Sequence, residues 1–126
     1  MAASKISILL VEDDQFLSEL YQTKLELEDF EVTTAEDGKK GLRLAKEKTP
    51  DLILLDIILP GMDGFEVLTN LKDDPALKGI PVILLTNLSQ KDEVSRGLEL
   101  GAAYYLIKAH FMPSEVVKKI KKVLHG

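Results

Sequence analysis

The chain has 126 residues, of which 45% are hydrophobic, and its 16 basic and 21 acidic side chains give a formal net charge of −5. These values fit one domain with a single core, and they disfavour a nucleic-acid-binding surface, which would need a basic patch. The chain has no cysteine, which excludes disulfides and thiolate metal sites; it also has neither an apolar run of roughly 18 residues nor a signal-peptide pattern, so we expect a cytoplasmic protein without membrane insertion.

Apolar runs alternate with amphipathic stretches in the first half of the chain. The continuous apolar run at residues 6–11 predicts a strand covered on both faces. Residues 31–35 predict a second strand, and residues 37–48 predict a helix with Leu42 and Ala45 facing inward. Between the strands, residues 13–29 predict a helix with Asp14 as its N-cap. Its apolar residues at helical spacing are Phe16, Leu17, Leu20, Tyr21 and Leu25.

The second half continues the alternation. Strands are predicted at residues 51–56, 80–86 and 103–108. Helices are predicted at residues 64–73, 90–101 and 113–126, the second ending at Gly101, because glycine accepts a left-handed C-terminal position. In the last helix an apolar face is flanked by a solvated lysine face. The apolar face comprises Val116, Val117, Ile120, Val123 and Leu124.

Five successive strand–helix units predict an α/β fold with a parallel sheet and helices on both of its faces. We expect a flavodoxin-like, doubly wound sheet with strand order 2-1-3-4-5 and five helices, formed by residues 1–126 as a single domain. In such sheets, sites form at the carboxyl ends of the strands.

The predicted strand ends bring together polar residues of complementary chemistry. They are Glu12, Asp13 and Asp14 after the first strand, Asp56 at the end of the third, Thr86 and Asn87 after the fourth, and Lys108 after the fifth. Three carboxylates in one place require a cation or a proton. Oxygen ligands with room for water suit Mg²⁺, or the similar Mn²⁺. An ionised Asp56 is then able to act as a nucleophile and form an aspartyl phosphate, with Lys108 and the Thr86 hydroxyl neutralising phosphoryl charge.

The segments "LVEDD", "LLDIILPGMDG", "ILLT" and "YYLIK" resemble those of bacterial response-regulator receiver domains, of the single-domain, chemotaxis-regulator-like type. The resemblance extends from about residue 6 to residue 124. It implies that Asp56 is the phosphoacceptor and that Asp13, Asp56 and the Ile58 backbone carbonyl bind Mg²⁺, with Glu12 acting through a water. It also implies that Lys108 pairs with Asp56 or its phosphoryl group. The Thr86 hydroxyl and the Tyr105 ring are then the switch residues.

The same resemblance implies a phosphorylation-dependent switch in a two-component system. A sensor histidine kinase or a histidine phosphotransfer protein is the expected phosphodonor, docking near Gln15, Phe16 and Ser18. The domain is expected to catalyse only its own phosphorylation and dephosphorylation. The fourth helix, fifth strand and fifth helix form the expected output face for an unknown protein target. No effector domain fits after Leu124, so a stand-alone receiver and a part of a larger regulator both remain open.

Four positions depart from the usual receiver pattern. The family has Lys-Pro after the fifth strand, whereas this chain has Lys108-Ala109. We expect a trans bond there, because a cis bond before a non-proline residue costs about 2.5–4 kcal/mol. Asn87 is bulkier than the usual residue after the switch threonine and is expected to narrow access to the phosphoryl group. Ile58 and Leu88 cannot hydrogen-bond a water, so we expect slow hydrolysis.

Two alternatives compete with the switch. A degenerate receiver would act as a constitutive protein-binding module, although the chemical residues are all present. A Mg²⁺-dependent phosphohydrolase of the haloacid-dehalogenase type would need a second aspartate two residues after Asp56, where this chain has Ile58. A nucleotide-binding flavodoxin-like protein is disfavoured, because no glycine-rich phosphate loop follows the first strand.

Overall fold

Five parallel strands form one sheet in the order β2-β1-β3-β4-β5. The computed structural model describes residues 5–86, 91–107 and 113–125. The strands are β1 (Ser7–Val11), β2 (Glu31–Ala35), β3 (Leu52–Asp56), β4 (Val82–Thr86) and β5 (Tyr104–Ile107). The helices are α1 (Gln15–Leu27), α2 (Gly38–Lys48), α3 (Gly64–Asp73), α4 (Lys91–Glu99) and α5 (Pro113–His125). The predicted flavodoxin-like topology is confirmed.

The core has two layers, one on each face of the sheet. Successive side chains of a strand point to opposite faces, so β1 places Leu9 in one cluster and Ile8 in the other. The first cluster lies under α2 and α3 and includes Ala45 and Phe65. The second lies under α1 and α5 and includes Leu25. Because β1, β3 and β4 are covered on both faces, their sequences are almost uninterrupted apolar runs.

Aspartate caps begin three of the helices. The carboxylate of Asp14 accepts a hydrogen bond from the Leu17 N–H at 3.0 Å, which confirms the predicted N-cap of α1. Asp37 and Asp63 cap α2 and α3 in the same way. Each carboxylate accepts a hydrogen bond from the backbone N–H three residues later, at 2.8 and 2.9 Å, respectively. Each cap satisfies one of the N–H groups that a helix start leaves without a partner.

Several boundaries differ from the predicted ones by one or two residues, and two of them have clear local reasons. β4 begins at Val82 rather than residue 80, because Pro81 has no N–H to donate to the sheet, although its carbonyl accepts from Ile53 at 3.0 Å. α4 ends at Glu99, and Gly101 then takes a φ of +108°, in the left-handed region. Gly101 therefore terminates the helix as predicted.

The apolar residues of α1 divide between two environments. Tyr21 and Leu25 are buried under the sheet, whereas Phe16 is 74% exposed and Leu20 is 42% exposed. Helical spacing alone did not separate these two groups. On α5 the predicted face is correct, since Val116, Val117 and Ile120 are buried while Val123 and Leu124 pack against them. Among the described residues, no helix has the length and apolar character to cross a membrane.

Candidate functional site

Three carboxylates meet at the carboxyl ends of β1 and β3. One oxygen from each of Glu12, Asp13 and Asp56 lies within 4.8 Å of the other two. Glu12 is 3% exposed and Asp56 is 6% exposed, while Asp13 faces solvent. The sequence predicted this cluster from the parallel order of the strands. The register confirms its basis, because Val11, the last residue of β1, lies opposite Leu55, the residue before Asp56 at the end of β3.

The backbone around Glu12 explains why this side chain points into the site. Its N–H donates to the Ala35 carbonyl at 2.9 Å, so the ladder between β1 and β2 continues for one residue beyond the strand. Its carboxylate accepts from the Asp14 N–H at 3.1 Å. Asp14 in turn caps α1. Glu12 is therefore held by the sheet on one side and by the start of α1 on the other.

Asp56 is held by a tight turn between β3 and α3. Its Oδ1 accepts from the Ile58 N–H at 3.2 Å. The Gly64 N–H donates to the Ile57 carbonyl at 2.7 Å, which fastens the first residue of α3 to the residue after Asp56. A side chain on Gly64 would overlap the Asp56 carbonyl oxygen and lie 2.6 Å from the Ile57 Cα. Only glycine allows α3 to begin this close to the site.

The charges of this cluster suit a hard divalent cation. Like charges at this separation repel strongly where two of the groups are shielded from water. A cation removes that repulsion, and carboxylate oxygens are the donors that Mg²⁺ prefers. The exposed Asp13 leaves one side of the cluster open to solvent, where waters would supply the remaining ligands of a bound cation. The donor set therefore fits Mg²⁺ in chemical type, and it contains neither histidine nor sulfur.

Of the remaining predicted site residues, some belong to the described part of the chain and some lie outside it. Ile58 lies two residues after Asp56, and its side chain is 58% exposed. Thr86 is the last residue of β4, paired in register with Ile107, and Leu85 is paired with Asp56, so the Thr86 backbone lies at the same edge of the sheet. Asn87, Leu88, Lys108 and Ala109 lie outside the described residues, and so does the predicted trans bond between Lys108 and Ala109.

Tyr105 lies on β5 beside helix α4. It is half-buried and packs against the cluster of side chains under α2 and α3. Its Cδ2 lies 3.6 Å from the position that a Cβ on Gly97 would occupy. The ring therefore lies close to the backbone of α4.

The roles of Asp63 and Gly64 were not predicted from the sequence. Asp63 is the N-cap of α3, and Gly64 is the first helical residue. The signal was present, because an aspartate followed three residues later by Glu66 is a helix-start pattern. The close approach of Gly64 to Asp56 carries no such signal, because it depends on how α3 packs on β3.

Comparison with known proteins identifies the family. The family model "Response regulator receiver domain" matches residues 8–121. The response regulator PleD of Caulobacter vibrioides is 46% identical over 101 residues, which is 80% of this chain and 22% of PleD. The DNA-binding dual master transcriptional regulator RpaA of Synechocystis is 39% identical over 117 residues, which is 93% of this chain and 48% of RpaA.

The fold gives the same assignment. A putative response regulator from Chloroflexus aurantiacus, solved by crystallography, superimposes with a TM-score of 0.91 at 30% sequence identity, covering 98% of this chain and all of that chain (100%). The chain spans between about a fifth and a half of the two curated relatives described above. The strand order, the acidic cluster and these matches together show that the chain belongs to the response regulator receiver domain family of two-component signalling proteins.

Proposed function

We propose that this receiver domain is a switch that is turned on when Asp56 accepts a phosphoryl group in the presence of Mg²⁺ (or Mn²⁺). The observation that carries the proposal is the approach of three carboxylates to within 4.8 Å at the end of a parallel sheet, with two of them almost fully buried. Burying charge is costly unless a partner compensates it. A fold that concentrates acids in this way is suited to a cation and a phosphoryl group.

Asp13 and Asp56 are the proposed direct ligands of Mg²⁺, together with the Ile58 backbone carbonyl. Glu12 is proposed to act through a metal-bound water, from which its carboxylate would accept a hydrogen bond. The same carboxylate also accepts from the Asp14 N–H. The metal would neutralise charge on the phosphoryl oxygens during transfer. The turn at residues 56–58 positions the Asp56 carboxylate, since the Ile58 N–H donates to Oδ1 at 3.2 Å. This carboxylate is the proposed nucleophile for attack on phosphorus.

The proposed response uses the neighbouring strand ends. Lys108 is the proposed cation that pairs with Asp56 or its phosphoryl group, and Thr86 is the proposed hydroxyl that donates to a phosphoryl oxygen. Tyr105 would then follow Thr86 and change the face formed by α4, β5 and α5. The site-tuning roles of Ile58, Asn87 and Leu88 also stay proposals, and they predict a phosphoryl group that is hydrolysed slowly.

The proposed donor is a sensor histidine kinase or a histidine phosphotransfer protein, and the proposed output is a protein target bound by the face of α4, β5 and α5. We propose that residues 1–126 act as one receiver domain, because a single sheet and the family match at residues 8–121 account for nearly all of the chain. The net charge of −5 supports a domain that does not itself contact nucleic acid. We also place the domain in the cytoplasm, where such kinases present their phosphohistidine.

Incubation with Mg²⁺ and acetyl phosphate, followed by intact-mass measurement, tests the proposal. We expect one added phosphoryl group in the wild type and none after Asp56→Asn or when EDTA replaces Mg²⁺. Asp73→Asn is the matched control, because Asp73 is an exposed carboxylate at the far end of α3. Phosphorylation of Asp56→Asn to the wild-type level would contradict the proposal. No phosphorylation of the wild type, by acetyl phosphate or by a phosphorylated histidine phosphotransfer protein, would favour a degenerate binding module.

A further inference from the structure

Helix α4 rests on the rest of the domain through two consecutive residues of opposite character. Gly97 is buried, and a Cβ at this position would lie 2.5 Å from the Leu84 Cδ1 and 3.6 Å from the Tyr105 Cδ2. The Gly97 backbone therefore packs directly on the Leu84 side chain of β4. The Phe65 Cε1 lies 3.7 Å from the same Cβ position, and the Arg96 guanidinium carbon lies 4.3 Å from the centroid of the Phe65 ring. Gly97 therefore places the α4 backbone close to the sheet and to Phe65, and Arg96 adds a contact of its own with Phe65.

Phe65 is in turn fixed to the acidic site. It follows Gly64, whose N–H donates to the Ile57 carbonyl at 2.7 Å and whose Cα has no room for a side chain against the Asp56 carbonyl. The Phe65 ring is 3% exposed and packs in the core. Because interiors are close-packed, the start of α3 cannot shift without moving residues 56–57, and the Phe65 ring moves with it. The contact with Arg96 therefore connects this turn to α4.

We propose that the cation–π contact between Arg96 and Phe65 couples the acidic site to α4 through the start of α3, which makes Arg96 a positioning residue for that site. The route runs from Asp56 through Gly64 and Phe65, and so does not pass through Thr86 or Tyr105. The inference rests on the proposed function only in that it takes Mg²⁺ as the ion bound by the acidic cluster. Coupling between two sites is reciprocal, so loss of the contact must change the affinity for Mg²⁺.

The expected size of the effect follows from the contact. Arg96 is exposed, and a cation–π contact at an exposed position corresponds to about a two- to fivefold change in an equilibrium constant. A contact cannot shift an equilibrium by more than the difference between its free energies of interaction in the two states. We therefore expect loss of the contact to change the Kd for Mg²⁺ by about twofold, and by no more than about fivefold.

Four proteins test the proposal: the wild type, Arg96→Met, Phe65→Leu and the double variant, each titrated with MgCl₂ while amide shifts are followed by NMR. Methionine keeps the length and the helix propensity of arginine. Arg43→Met is the matched control, because Arg43 is an exposed arginine on α2 whose loss changes the net charge equally. We expect the Kd of Arg96→Met to differ from that of Arg43→Met by about twofold or more. The Phe65→Leu and Arg96→Met effects on log Kd should not add in the double variant.

A purely structural role for Arg96 would lower the unfolding midpoint and leave the Kd at the value of Arg43→Met, which would overturn the proposal. Additive effects of the two substitutions would also overturn it. If Phe65→Leu does not fold, the comparison of Arg96→Met with Arg43→Met decides alone. If the wild type does not bind Mg²⁺, or if Asp56→Asn does not abolish that binding, the proposed function and this inference are overturned together. If the wild type binds Mg²⁺ normally and Arg96→Met has the same Kd as Arg43→Met, only the inference is overturned.

Discussion

Replacement of Gly64 with alanine tests how closely the metal-binding turn depends on the start of α3. The new Cβ would overlap the Asp56 carbonyl oxygen and would lie 2.6 Å from the Ile57 Cα and 3.0 Å from the Asp56 carbonyl carbon. All three of these atoms belong to the backbone of β3 and its turn, so no flexible side chain is able to yield. The start of α3 must move away by several tenths of an ångström, and the 2.7 Å bond from the Gly64 N–H to the Ile57 carbonyl must lengthen.

The magnitude is a balance of two terms. Overpacking against atoms that cannot relax costs about 1–3 kcal/mol, and alanine recovers up to about 1 kcal/mol of helix propensity relative to glycine. We expect the free energy of unfolding to fall by about 1–2 kcal/mol, which is about 1 M in the urea midpoint for a domain of this size. Mg²⁺ affinity should fall by about 10- to 100-fold, the usual effect of displacing the groups that orient metal ligands.

Urea denaturation in EDTA and calorimetric titration with Mg²⁺ measure the two effects separately. Gly79→Ala is the matched control, because a Cβ at Gly79 would meet no atom within 4 Å. It should leave both values close to those of the wild type. If Gly64→Ala matched Gly79→Ala in its urea midpoint and its Mg²⁺ affinity, the close approach of α3 to β3 would not position the site, and the account of the turn would be wrong.

Two further substitutions test the electrostatics of the domain. Asp13→Asn should weaken Mg²⁺ binding, yet in EDTA it should raise the free energy of unfolding by up to about 1 kcal/mol, because it removes one of three clustered charges at an exposed position; equal effects with and without Mg²⁺ would contradict a metal site. For Lys72, desolvation by burial lowers the pKa from its usual value of 10.5. The folded state then binds fewer protons than the unfolded state between the lowered pKa and 10.5, so the free energy of unfolding should rise with pH in that interval. Lys72→Met should lack this rise in chemical denaturation from pH 8 to pH 10.5, and identical pH profiles for the two proteins would refute the assignment.

The sheet was predictable because the signals of its strands are local, and the acidic cluster followed from the expected order of those strands. A strand covered on both faces must be an apolar run, which identified β1, β3 and β4. Once the strands are parallel, their carboxyl ends share one edge, and Glu12, Asp13 and Asp56 must approach one another. The cap at Asp14 followed from its position just before a helical pattern, and the structure confirms its bond to Leu17.

Features that depend on how two elements approach each other were not predictable. The helical spacing in α1 grouped Phe16 and Leu20 with Tyr21, although only Tyr21 is buried, because an apolar periodicity does not show which residues a neighbouring element covers. The contact between Arg96 and Phe65 joins two helices far apart in the sequence. Neither residue carries a pattern that pairs it with the other.

Phosphorylation of the acidic cluster at one defined carboxylate is the central claim, and chemical trapping tests it most directly. The protein is incubated with acetyl phosphate and Mg²⁺ and then treated with borohydride, which reduces an acyl phosphate to an alcohol and so converts a phosphorylated aspartate to homoserine. Peptide mapping by mass spectrometry then locates the modified residue. The account predicts homoserine at position 56 and nowhere else. Homoserine at position 13, or an unmodified position 56 in a protein that has gained a phosphoryl group, would contradict it.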